Sequence, residues 1–507
     1  MKYKNPIISG FYPDPSICRN DKEEYFLVNS SFEYFPAIPL FKSTDLVNWE
    51  QIDHVLTRES QLDLERVRDF PVSQGVYAPT IRYYQGKYYV ITTNNTTMKT
   101  FYVWTEDPFG EWSEPIYIDG LMGYDPSLYF EGETVYLTAS AYPIPGAKEG
   151  IIQATIDLQT GKLTSELQHI WAGTGHSAPE GPHLYKKDHY YYLLVAEGGT
   201  EFGHMVTIAR GTQPFGPFES CPQNPIASNR STSLPIQATG HADMIESVAG
   251  EWVAVILGIR PLARHKIHHL GRETSLVPVT WTDDQWPILG DNGRVLVEHE
   301  ISGAGEQMIE TNWSDDFSSR QLHNRWNTIR QLEQSAWKFS AGLSLYGKAA
   351  TLNNTDTAPV FIGCRQTSPI CEVSVDFTFS PNNEGEEAGV TIYMNENFHY
   401  DVFRMNKDGR QVLSLRKQVG DICYLANSLD YSGENVTLII QAKEDKYYWS
   451  VKEPSGKEHL LGEGEARLLS KEIAGGFTGV YLGMYATGNG KMSQTPAVFT
   501  HFSYDKK

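Results

Sequence analysis

The sequence is short of what several function classes require. It has no long apolar run: the stretch from Trp252 to Ile259 is far too short to span a bilayer. It has no surplus of positive charge either. A formal net charge of −20 argues against nucleic acid or an anionic membrane surface as partner. Cysteine is scarce and scattered. Cys18, Cys221, Cys364, Cys371 and Cys423 are odd in number and lack metal-site spacing, so they read as free thiols of a reducing compartment. The opening Met1-Lys2-Tyr3-Lys4-Asn5-Pro6 has no apolar h-region, which points away from a secretory leader and towards the cytoplasm. No stretch carries the period of a long amphipathic helix, and that leaves an all-β fold.

What the chain does have is a repeat. Asp14-Pro15-Ser16-Ile17 runs through a polar turn into Tyr25-Phe26-Leu27-Val28. The same shape returns at Ala78-Pro79-Thr80-Ile81, Asp125-Pro126-Ser127-Leu128, Glu180-Gly181-Pro182-His183-Leu184 and His241-Ala242-Asp243-Met244-Ile245. Each copy reads as a short strand, a tight turn and a second, more apolar strand. The copies lie 47 to 64 residues apart, the length of a four-stranded blade with its loops, so five copies predict a five-bladed β-propeller. Residues 1–300 make up this catalytic-type unit and 301–314 a glycine-containing linker. From 315 to 507, short alternating runs such as Cys371-Glu372-Val373-Ser374-Val375 predict a β-sandwich.

The first strand of each blade faces the central channel, so Asp14, Ala78, Asp125, Glu180 and His241 should meet there. An aspartate before proline is often no more than a turn cap. Three acids at matching places are different, because clustered like charges raise one another's pKa and cost stability unless they serve chemistry or a cation. Glycosidic bonds break with one carboxyl protonating the leaving oxygen, while a second activates water from the opposite face. Blades one and four are nearly opposite, which suits Asp14 and Glu180 to the roughly 6.5–9.5 Å separation of an inverting pair. Asp125 would press its charge on Glu180 and keep it protonated. From position alone, the two roles are interchangeable.

Gly10-Phe11-Tyr12-Pro13-Asp14-Pro15-Ser16, Asp125-Pro126-Ser127-Leu128, Pro179-Glu180-Gly181-Pro182-His183, Glu197-Gly198-Gly199-Thr200, Gly240-His241-Ala242-Asp243 and Gly271-Arg272-Glu273-Thr274 together resemble glycoside hydrolase family 43. The C-terminal half resembles the concanavalin-like jelly roll that accompanies many β-xylosidases and α-L-arabinofuranosidases. The resemblance implies Asp14 as general base, Asp125 as the orienting and pKa-tuning residue and Glu180 as general acid. It implies that Arg272 reaches the hydroxyls of the sugar, that Phe32 and Tyr77 line its pocket and that Phe477 closes it. His241 is implied at the channel floor, where relatives hold a calcium ion or water. A calcium ion wants six to eight oxygens, so water would have to supply most of them; a structural histidine is the competing reading. The chemistry itself requires no cofactor.

One departure stands out. Many xylosidases of the family have Trp-Ala-Pro where this chain has Tyr77-Ala78-Pro79. The smaller ring favours an exo-acting α-L-arabinofuranosidase on arabinoxylan-derived oligosaccharides, with a β-xylosidase or a bifunctional enzyme as the alternative. A non-catalytic carbohydrate-binding propeller is the rival of another class, and three mutually repelling acids count against it. A fructan-cleaving enzyme would resemble a different opening motif, Trp-Asn-Asp-Pro, which this chain lacks. Sandwich-bearing relatives often associate, which leaves both a monomer and a homo-oligomer open here.

Overall fold

The computed structural model describes residues 1–64, 72–143, 148–262, 266–308 and 312–507. Among the described residues the one α-helix is the four-residue Lys471–Ala474. Among these residues no helix is long and apolar enough to cross a membrane. The rest of the described residues are strand, turn and loop, with three short 3₁₀ turns.

Each sequence repeat opens an antiparallel sheet. The five inner strands are Ser16–Arg19, Thr80–Tyr84, Gly123–Glu131, Glu180–Lys187 and Gln237–Glu246. Four of the sheets have four strands; the third has a fifth, Gln168–Trp171. In the first and fifth sheets the second strand is apolar on both faces. Tyr25–Val28 is wholly buried and Trp252–Ile259 nearly so, because sheets stack on either side of it.

The inner strands close into a ring through one buried acid. Asp243, on the fifth inner strand, accepts hydrogen bonds from the Ser16 hydroxyl (2.7 Å) and the Ile17 N–H (3.0 Å) of the first. It also accepts from Arg82 Nη1 of the second (2.7 Å) and the Tyr185 hydroxyl of the fourth (2.6 Å). The third strand joins the fourth where the Ser127 hydroxyl donates to the Pro182 carbonyl at 2.6 Å. The N-terminal strand Lys2–Lys4 pairs with Glu298–Glu300, bringing the two ends of this half together.

Beyond it, two sheets face each other as a sandwich. One runs from Trp337–Phe339 through Pro496–Lys506 and Ile370–Thr378 to Glu458–Glu465; the other runs from Val360–Arg365 to Ile422–Asp430. Their facing side chains, Trp326, Phe377, Trp449, Phe499 and Phe502 among them, form the largest core of the chain. Of the predicted linker, Ser302 donates to Glu251 and the Glu306 carbonyl accepts from Asn48, so this part lies along the propeller; 309–311 fall outside the described residues.

The two halves are packed together. Phe11, Phe32 and Tyr34 of the propeller share a core with Phe361 and Tyr481 of the sandwich. Tyr34 and Tyr481 stack at 3.8 Å, the Tyr34–Phe35 strand pairs with Thr328–Ile329, and Arg365 donates to the Phe11 carbonyl at 2.8 Å. That contact sets a sandwich segment, Lys471–Val480, beside the channel mouth.

Candidate active site

At the channel mouth Asp14, Phe32, Tyr77, Ala78, Tyr124, Asp125, Glu180, Thr200, His241, Arg272 and Phe477 line one cavity. Every residue singled out from the sequence as catalytic, sugar-binding or metal-binding is therefore at the same place. The backbone explains how. Asp14, Asp125 and His241 have φ of 54°, 51° and 45°, left-handed values that non-glycine residues adopt at a cost. On the third, fourth and fifth inner strands the register shifts at this point, and such a bulge re-aims the side chain.

The fourth repeat differs from the alignment expected. The residue with the left-handed backbone there is Gly181, at φ 58°, so Glu180 projects from one position earlier than Asp14 and Asp125 do. Glycine is required for a second reason: a Cβ at 181 would come within 2.9–3.0 Å of the His241 ring. The offset matches the sequence, where Pro182 follows Glu180 by two residues while Pro15 and Pro126 directly follow Asp14 and Asp125.

The carboxyls are tuned apart. Burial works against an ionised Asp14, but Arg272, His241 and the Ser30 hydroxyl outweigh it and hold the carboxyl below its usual range. Arg272 Nη1 donates to Asp14 Oδ1 at 2.7 Å, and Ser30 donates to Oδ2. Glu180 is pushed up to about 7, first by burial and then by the negative charge of Asp14, with Arg272 offsetting part of the rise. Asp125 is held well above the usual carboxylate range by burial and by the charges of Glu180 and Asp14, with the Gly181 N–H at 3.2 Å pulling the other way. The expected cause of the Glu180 shift is corrected here. Asp125 does not act on it as a fixed charge; the two repel each other and titrate as a pair, and Asp14 is the standing charge of the site.

The walls are aromatic. Phe32 lies 5.4 Å from Tyr77 and 5.9 Å from Phe477, ring to ring, and the Arg272 guanidinium sits 5.7 and 5.8 Å from the Phe32 and Phe477 rings. Phe477 comes from the sandwich. Its N–H donates to Ser73 at 2.8 Å and its carbonyl accepts from Arg272 at 3.4 Å. Tyr77 is tied to Asn95, which donates to its hydroxyl at 2.9 Å. Sequence reasoning missed Tyr124, Ser30 and Thr200 as site residues. Tyr124 directly precedes Asp125 and could have been found there; Ser30 follows the second strand of its blade, where nothing in the pattern marks it. Thr200 lay inside a recognised motif without a role, and here its hydroxyl accepts from Arg272 Nη1 at 3.2 Å.

The donor set around His241 does not fit a calcium ion held directly by protein. Its Nδ1 is 3.8 Å from Asp14 Oδ1, Asp14 is already engaged by Arg272 and Ser30, and among the described residues no three His, Cys, Asp or Glu side chains converge on a metal-sized site. Burial first, then Arg272, favours the neutral imidazole over the charged one, although Asp14 opposes them.

Comparison with known proteins matches residues 3–287 to the glycosyl hydrolases family 43 model, and residues 314–505 to the beta xylosidase C-terminal concanavalin A-like domain. A non-reducing end alpha-L-arabinofuranosidase of Bacteroides ovatus is 38% identical over 99% of this chain and 94% of its own. A xylosidase/arabinosidase of Butyrivibrio fibrisolvens is 34% identical over 99% of both chains. Among solved structures, one described as Bacteroides ovatus xyloglucan PUL GH43B superposes with a TM-score of 0.94 at 37% identity, covering 100% of both chains.

Proposed function

Because the chain belongs to glycosyl hydrolases family 43, and is a glycoside hydrolase, we propose that it is an inverting exo-acting α-L-arabinofuranosidase with Asp14 as general base and Glu180 as general acid. The observation that carries this reading is a carboxyl held towards its ionised form and a carboxyl held towards its protonated form in one cavity, with Arg272 donating to the first. Asp14 takes a proton from water as the water oxygen attacks the anomeric carbon. Glu180 gives its proton to the departing oxygen as the glycosidic bond breaks, and the pentose leaves with inverted configuration. Asp125, which accepts from the Gly181 N–H, orients the chain at Glu180, while Arg272, Phe32, Tyr77 and Phe477 hold the sugar.

The Bacteroides relative's name supports the arabinofuranosyl reading. A second reading, β-xylosidase or dual activity, is supported by the name of the Butyrivibrio relative. Initial rates on an aryl α-L-arabinofuranoside and an aryl β-D-xyloside decide between them: the arabinoside should be at least tenfold faster, and the reverse ratio overturns the choice of sugar. Glu180→Gln should lower kcat on an unactivated arabinoside by about 10²–10⁴ while ligand binding survives; unchanged turnover removes the general-acid role and revives the binding-module rival.

The natural substrates proposed are arabinoxylan-derived oligosaccharides, handled in the cytoplasm by a homo-oligomer; five free thiols suit that compartment, and sedimentation velocity reads the assembly. Xyloglucan oligosaccharides belong beside arabinoxylan in the assay, given the description of the Bacteroides structure. Any ion at His241 would be held through water, so treatment with a chelator should leave kcat/KM within twofold. A tenfold loss restored by calcium would overturn that.

A further inference from the structure

The motif Glu197-Gly198-Gly199-Thr200 supplies Thr200 to Arg272 but leaves its first residue without a part in the reaction. Glu197 is fully buried, next to Ala196, the cross-strand partner of Glu180. A buried carboxylate is costly unless its oxygens are satisfied. Here they are satisfied by one loop and one neighbouring strand. The Thr174 N–H donates to Oε1 at 2.9 Å, the Thr174 hydroxyl to Oε2 at 2.9 Å and the Thr207 hydroxyl to Oε2 at 2.6 Å.

The loop that Glu197 holds, residues 172–178, leads directly through Pro179 into Glu180. It has little else to fix it. None of its seven residues is buried, so no apolar side chain anchors it in a core. Gly173, at φ 74°, lies against the Glu197 carboxylate so closely that a Cβ there would stand 2.5 Å from Oε1. A further tie comes from the same motif: the Gly198 N–H donates to the Ser177 carbonyl at 2.8 Å. Both glycines of the motif have positive φ, which lets the chain turn from Glu197 to Thr200 in three residues.

We infer that Glu197 is a positioning residue for the general acid: by clamping Thr174 it fixes the approach of the chain to Glu180 and so the distance from that carboxyl to the leaving oxygen. Through Thr200, the same short motif also orients Arg272 on Asp14, so one turn of chain registers both halves of the acid–base pair. The inference rests on the proposed role of Glu180. A glutamine offers one acceptor oxygen in place of two and carries no charge, so the hydroxyls facing its nitrogen must turn and accept instead of donating to a carboxylate. Glu197→Gln therefore replaces charge-assisted bonds by weaker neutral ones while keeping the volume. An ångström of misplacement is worth about 10²-fold in rate.

The test exploits what a general acid does. An aglycone that is a good leaving group departs without protonation, whereas an alkyl or sugar aglycone does not. In Glu197→Gln, kcat/KM for a methyl or xylo-oligosaccharide arabinoside should fall about 30- to 100-fold, and for the 2,4-dinitrophenyl arabinoside less than threefold. Thr174→Val, which removes one hydroxyl donor, should give the same selective loss at roughly a tenth of the size, and serves if the first variant does not fold. An equal loss on both aglycones, or none on either, overturns the inference. Glu180→Gln run alongside separates the two ideas: if it also lacks leaving-group dependence, the general-acid reading fails; if it shows the dependence and both Glu197→Gln and Thr174→Val do not, only the role of Glu197 fails.

Discussion

At the scale of single residues, the site works by holding three carboxyls in two charge states. Glu180 titrates at about 7 in the folded protein against a usual 4.5, and Asp14 below its usual range. A general acid must be protonated and a general base ionised, so kcat/KM should decline as pH rises through about 7, and on the acid side only below the ordinary carboxylate range. The same shift carries a stability cost. Between about pH 4.5 and 7 the folded protein binds more protons at Glu180 than the unfolded chain does, so folding stability falls as pH rises across that window. Asp125→Asn removes a carboxyl whose ionisation the folded site opposes, and with it the stability cost linked to its raised pKa above the ordinary carboxylate range. It should raise the melting temperature by about 1–4 °C at pH 7.5 while cutting kcat at least 10²-fold. Scanning calorimetry and a pH–rate profile check both halves; a variant both slower and less stable would contradict the account.

At the scale of elements, the inner strands turn a repeat into a site by breaking their own regularity. The register shifts and left-handed residues occur where the acids are, and at Gly181 a positive φ coincides with close approach to the His241 ring. Gly181→Ala should therefore lower kcat/KM about tenfold or more and destabilise by roughly 1–3 kcal/mol, from an unfavourable φ and a crowded imidazole. Adding His241→Ala should recover the crowding part, and a double-mutant cycle showing no coupling would refute the contact as cause. These features mark the limit of what could be read from letters alone. Asp14, Asp125 and Glu180 were legible because the repeat of proline, strand and turn brought them into register. The one-residue offset was legible as well, because Pro182 stands two residues after Glu180 where Pro15 and Pro126 directly follow Asp14 and Asp125; the contact of Gly181 with a histidine of the next blade was not. Thr174 and Thr207 were invisible for a similar reason: their importance comes from a buried partner, Glu197, that only folding brings near.

At the scale of the whole molecule, two all-β halves share one pocket. The alternation that predicted a sandwich after residue 315 gave its strands, but not the stacked Tyr34 and Tyr481 or the entry of Phe477 into the propeller's mouth, because contacts between halves have no periodic signature. The ring itself is stoppered. Beneath the cavity floor, Ser16, Arg82, His183, Tyr185 and Asp243 are joined by hydrogen bonds across its axis. On the reading proposed above, a freed sugar would leave by the mouth through which it entered, behind the chain it was cut from: the shortened chain first, the monosaccharide last. Added pentose should then compete with substrate for the empty enzyme, whereas added debranched chain should inhibit non-competitively, and steady-state inhibition plots that show the opposite order would mean the stopper leaks.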